Sequence, residues 1–119
     1  MKLEFLYLPT GDLGSALSLY RDGLGWEEAW REGELTVALT MPGTEVKLML
    51  DASDPDAAVG PMFVVDRVHD FHASRPSELQ TKLEPEAIPG GFMATYEDRS
   101  GNTIYVLDQS EDATVSSSG

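Results

Sequence analysis

The sequence has no cysteine, which removes disulfides, thiolate metal ligands and a cysteine nucleophile together. Cations are also scarce. Against 21 Asp and Glu there are 8 Lys and Arg, a formal charge of −13 at pH 7. Phosphate backbones and anionic lipid heads require clustered Lys and Arg, so neither nucleic acid nor membrane is expected as a partner. No apolar run approaches the roughly 18 residues of a membrane helix. The N-terminus opens into a strand-like stretch rather than a basic, then apolar, leader, so the expected location is cytoplasmic. No serine sits in a Gly-x-Ser-x-Gly elbow. What remains is an ordinary globular composition, 41% hydrophobic and 24% charged. A length of 119 residues then predicts one domain with one core.

Leu3 to Leu8 is an apolar run of strand length. Asp12 follows as an N-cap for a helix whose Leu13, Ala16, Leu17, Tyr20 and Leu24 recur at helical spacing, ended by Gly23 and Gly25. Three strand-length segments come next, Trp26 to Arg31, Glu34 to Met41 and Glu45 to Leu50, separated by turns at Glu32-Gly33 and Pro42-Gly43. The first half, residues 1 to 50, thus reads βαβββ. Asp51 to Val59 is rich in Asp, Ala, Ser and Pro and reads as a solvated connector. The second half, residues 60 to 109, repeats the order. Pro61 to Val65 is a strand, Val68 to Ser74 a short helix stopped by Pro76, and an irregular stretch follows through Pro85. Phe92 to Glu97 and Thr103 to Leu107 are the last strands. At a separation of about 58 positions Gly33 meets Gly91, Gly43 meets Gly101, Val46 meets Ile104 and Leu48 meets Val106. Ser110 to Gly119 is polar and aperiodic and reads as a disordered tail.

Two βαβββ halves, the run Asp12-Leu13-Gly14-Ser15-Ala16-Leu17-Ser18-Leu19-Tyr20-Arg21-Asp22-Gly23-Leu24-Gly25, and Asp98-Arg99-Ser100-Gly101-Asn102 before the last strand resemble the vicinal oxygen chelate superfamily. That is the glyoxalase, bleomycin-resistance and extradiol-dioxygenase group, and the resemblance spans residues 1 to 109. It implies an α+β fold in which two βαβββ modules form a concave, partly open, eight-stranded barrel-like sheet, and it implies a homodimer. In the family's enzymes a divalent metal is held by His or Glu from the first and last strand of each module. The corresponding positions are Phe5, Lys47 or Met49, Gly60 with Pro61 beside it, and Tyr105. Aromatic carbon, a protonated amine and a glycine are not donors for such a metal. Neither a metal nor any other cofactor is expected. Glu4 and Glu45 alternate with the inward positions and are expected to face away. The resemblance then points to the non-catalytic branch, whose members sequester a drug or metabolite.

Strand parity places Phe5, Tyr7, Lys47, Met49, Met62, Val64, Tyr105 and Leu107 on the side of the metal positions. Leu6, Leu8, Leu48, Phe63, Val65, Ile104 and Val106 are expected to pack under the helices. Aromatic and methionine side chains with a few polar tips suit a flat organic ligand, and Trp26 and Trp30 are placed to wall one end. The expected ligand-binding set is Phe5, Tyr7, Trp26, Trp30, Lys47, Met49, Met62 and Tyr105. Alternatively the same side chains fill the hollow and leave an interaction module. A third reading is a lyase, isomerase or dioxygenase with an atypical or absent metal site, using Tyr7, Tyr105 or Lys47 as acid-base groups. Lys47 either pairs with an anionic ligand or a neighbouring acid, or reaches solvent. His69 and His72, three apart on the second helix with Asp66 and Asp70 nearby, read as solvated helix residues because no third metal ligand is evident.

Overall fold

The computed structural model describes residues 1–110, so the predicted tail, apart from Ser110, lies outside the described residues. Two compact units divide the chain. The first is Glu4–Gly60; the second is Met1–Leu3 together with the chain from Pro61 onward.

The first unit contains β1 (Lys2–Pro9), α1 (Leu13–Leu17), β2 (Glu28–Glu32), β3 (Thr36–Thr40) and β4 (Lys47–Asp51), with strand order β2-β3-β4-β1. Asp12 caps α1 as its sequence position predicts, its side chain accepting from the Ser15 N–H at 3.0 Å. The helix does not keep its period. It continues as a π-helix over Ser18–Gly23, with the Leu24 N–H bonded to the Leu19 carbonyl at 2.9 Å. That wider turn rotates the end of the helix, and Leu24, which helical spacing groups with Leu17 and Tyr20, is 54% exposed. Leu17, Val37, Leu39, Leu48 and Leu50 form the core, with Leu8, Leu13, Ala16, Tyr20 and Trp26 against it.

The second unit contains β5 (Gly60–Val64), α2 (Val68–Ser74), β6 (Gln80–Ile88), β7 (Gly91–Glu97) and β8 (Thr103–Leu107), in strand order β5-β8-β7-β6. Its core is Val68, Ala94, Tyr96 and Val106, joined by Val65, Phe71 and Ile104. The stretch expected to be irregular through Pro85 instead enters the nine-residue β6 at Gln80. Its hidden signal has a physical cause, since the pairing with β7 slips between Thr81 and Leu83 and again between Leu83 and Glu86. Leu6, expected under a helix, is exposed, and Phe63 stays outside the core cluster.

Each unit is thus a βαβββ module in which first and last strands pair in parallel, β1 with β4 and β5 with β8. The α+β class and the paired-module architecture are as predicted. Gly43 and Gly101, matched by the repeat, both adopt positive φ, 82° and 85°, in the turns before β4 and β8. In the second of these turns Asp98 accepts from the Ser100 and Asn102 N–H groups and from the Asn102 amide, all at 2.9 Å. Among the described residues no helix is long and apolar enough to cross a membrane.

Candidate functional site

In the first unit the sheet face opposite α1 is built by register. Trp30 pairs with Ala38, Ala38 with Met49, and Met49 with Tyr7, so these four residues form one row across the strands. Thr40, Lys47 and Phe5 form the next row, and Thr36, Asp51 and Pro9 the row on the other side. Side chains within a row share a face because a strand repeats every two residues. Ala38 contributes only a methyl group. Trp30 therefore has room to reach across it and meet Phe5 edge-on, ring centroids 5.8 Å apart at 86°. Phe5 and Tyr7 are buried, while Trp30, Lys47 and Met49 are half-buried.

Asp51 closes the third row and was not visible as a site residue in the sequence, where it reads as the first residue of the connector. It is the last residue of β4 and only 8% exposed. Its Oδ1 accepts from Thr36 Oγ1 at 3.0 Å, from the Ser53 N–H at 2.9 Å and from Ser53 Oγ at 2.6 Å, and Tyr7 donates its phenolic hydrogen to Oδ2. Burial opposes ionisation of this carboxyl, but the bonds from Ser53, Tyr7 and Thr36 outweigh it and hold Asp51 below the usual carboxylate range. The hydrogen bond to this carboxylate thereby fixes the Tyr7 ring at the end of the aromatic row. Extending β4 by one residue would have revealed it, since parity puts Asp51 with Lys47 and Met49.

Lys47 finds an acid within its own unit. Its Nζ lies 4.0 Å from Glu4 Oε1, so Glu4, expected to face away, reaches back to the lysine. Trp26 does not join this face. It precedes β2 and packs against Tyr20 on the α1 side, ring centroids 5.6 Å apart.

In the second unit Met62 pairs with Tyr105 and Val64 with Leu107, and Tyr105 and Leu107 pair in turn with Thr95 and Met93. Met62, Tyr105 and Leu107 are buried. At the end of this face Lys82 Nζ lies 3.2 Å from Thr103 Oγ1 and 3.6 Å from Glu97 Oε2. On the opposite face the expectation of solvated helix histidines holds for His69, which is exposed, and is corrected for His72, which is half-buried. His72 lies 2.8 Å from the Tyr96 hydroxyl through Nδ1 and 3.0 Å from Glu84 through Nε2, and His69 rests edge-on against Phe92. Burial pushes the Tyr96 phenol up.

The family model for the glyoxalase/bleomycin resistance protein/dioxygenase superfamily matches residues 2–106. The chain belongs to this superfamily. No curated protein sequence matches it. Among solved structures it is similar to one from Legionella pneumophila described as an NAD-dependent benzaldehyde dehydrogenase, with TM-score 0.73 and 14% identity over 88% of this chain and 97% of that one. It is also similar to methylmalonyl-CoA epimerase from Mycobacterium tuberculosis, with TM-score 0.69 and 14% identity over 96% of this chain and 91% of the other. A superfamily member from Vibrio splendidus 12B01 gives TM-score 0.57 and 18% identity over 87% and 94%. At these identities the likeness concerns the fold.

The superfamily's metal does not fit these residues. Phe5, Gly60 and Tyr105 present no imidazole or carboxylate, and neither Lys47 nor Met49 supplies one. Asp51 does lie on the Phe5 face, but four donors already occupy its carboxylate. Among the described residues no three His, Asp or Glu side chains cluster.

Proposed function

We propose that this superfamily member binds a small, flat organic molecule on the sheet face of its first unit and holds it without a metal, as a sequestering protein for a drug or aromatic metabolite. The observation that carries this reading is the half-buried Trp30, propped edge-on by Phe5 and bordered by Met49 and the anchored Tyr7. A tryptophan held in one orientation offers a stacking surface at little further entropic cost, and methionine adapts to an irregular partner. Tyr7 is no ready proton donor, because its hydrogen is committed to Asp51. For that reason binding is favoured over a lyase, isomerase or dioxygenase using Tyr7. The homodimer implied by the superfamily is the assembly that goes with this reading.

A second reading has its own support. Phe5, Met62 and Tyr105 are buried, which is what a non-catalytic interaction module with filled sheet faces requires. One experiment separates the two. Titration of the protein with a panel of aromatic natural products and drugs, followed by tryptophan fluorescence and thermal shift, gives saturable quenching under the binding reading and no response under the filled one.

A further inference from the structure

Thr95 sits in the middle of β7, 4% exposed, and its hydroxyl has no hydrogen-bond partner. It belongs to the face away from α2, because its neighbours Ala94 and Tyr96 are in the α2 core while Thr95 itself pairs with Tyr105. Its own strand cannot readily satisfy it, since the backbone of β7 is engaged on both sides, with β8 and with β6. A buried hydroxyl without a partner is destabilising, and valine would occupy the same volume without that cost. Around it the face is mostly apolar, with Tyr105 directly opposite and Met93, Leu107 and Met62 nearby in the register. The charges at its end, Lys82 and Glu97, already answer each other. Lys82 is thus already matched, so an anionic ligand gains little from it, and the charge of −13 repels such a ligand as well.

We propose that the Thr95 hydroxyl is the polar anchor of a binding face on the second unit, and that its ligand is an uncharged, flat organic molecule whose carbonyl oxygen accepts the Thr95 hydrogen. The proposal rests on the reading that the protein binds small organic molecules. It adds a face on the second unit, considered by itself, with the charge of the molecule bound there and the atom that orients it.

The test compares the full chain with Thr95→Val by calorimetric titration, using fluorenone, its methylene counterpart fluorene, and fluorenone carboxylate as probes. The wild-type protein is expected to bind fluorenone about tenfold more tightly than fluorene and to reject the carboxylate. Thr95→Val is expected to lose that tenfold preference, bind fluorene unchanged, and melt at the same or a higher temperature than wild type. Fluorenone affinity unchanged by Thr95→Val overturns the anchor while leaving the binding reading intact. A lower melting temperature for Thr95→Val overturns it too, because the hydroxyl would then have a partner inside the protein. If no probe of any kind binds the wild-type chain, the binding reading fails and the anchor falls with it.

Discussion

Asp51 and Asp108 carry the same local pattern and do opposite jobs. Each ends or follows the last strand of its module, and each accepts from the N–H and hydroxyl of the serine two residues on, Ser53 and Ser110. Asp51 lies on the face away from its helix and holds Tyr7. Asp108 lies on the helix side, where its Oδ2 accepts from the Val68 N–H at 2.7 Å and its Oδ1 from the Phe92 N–H at 3.1 Å. One carboxylate organises the candidate site; the other seats α2.

The Tyr7–Asp51 contact predicts coupled energetics. Asp51→Ala leaves the Tyr7 and Thr36 hydroxyls buried without their acceptor and is expected to cost about 2–4 kcal/mol. Tyr7→Phe should cost less, about 1.5–3 kcal/mol, because the remaining donors stay on Asp51. In the double variant the costs should fall short of additivity, measured by urea denaturation.

Acid should unfold the protein through both aspartates. Burial raises the Asp108 carboxyl, yet the bonds from Val68, Ser110 and Phe92 outweigh it, so Asp108, like Asp51, is held below the unfolded value of 3.8. A depressed carboxyl stabilises fully above its unfolded value and loses that contribution as pH falls below about 3.8 toward the folded value. Stability measured from pH 6 downward should therefore drop below about 3.8. The drop should be shallower in Asp51→Asn and in Asp108→Asn, each compared with its own stability at pH 6.

Gly91 has no room for a side chain. A Cβ there would meet the carbonyl oxygen, the carbonyl carbon and Oδ1 of Asp108 well inside van der Waals contact, and the first two are backbone atoms that cannot swing aside. Gly91→Ala is expected to destabilise by about 3 kcal/mol or more, read from the chemical denaturation midpoint, through displacement of Asp108 from α2.

Ala38 supplies the space that Trp30 uses to reach Phe5. Ala38→Leu should push the indole toward solvent and shift its emission to longer wavelength. In a Trp26→Phe background Trp30 is the sole tryptophan, so the shift is read without interference.

Much of this was legible in the sequence, and the failures have local causes. Asp12, the helix it starts, and the βαβββ order of elements in the first module follow from capping, period and turn chemistry. Strand parity also brought Phe5, Tyr7, Lys47 and Met49 to one face. Trp26 was misplaced because β2 starts at Glu28, which leaves Trp26 free to fold back on Tyr20. The π-helical turn hid the exposure of Leu24, and two bulges hid β6. Asp51 was missed because aspartate followed by Ala-Ser-Asp-Pro carries the composition of a loop. What makes it a strand residue is tertiary: the donors Tyr7 and Thr36 come from β1 and β3.

The central claim, a binding face built on Trp30, is tested most directly by ligand titration of Trp26→Phe and Trp30→Phe in parallel, each retaining one emitter. The account predicts saturable quenching in Trp26→Phe and little or none in Trp30→Phe, whose remaining indole lies on the α1 side. Equal quenching in both, or none in Trp26→Phe across the panel, would contradict it.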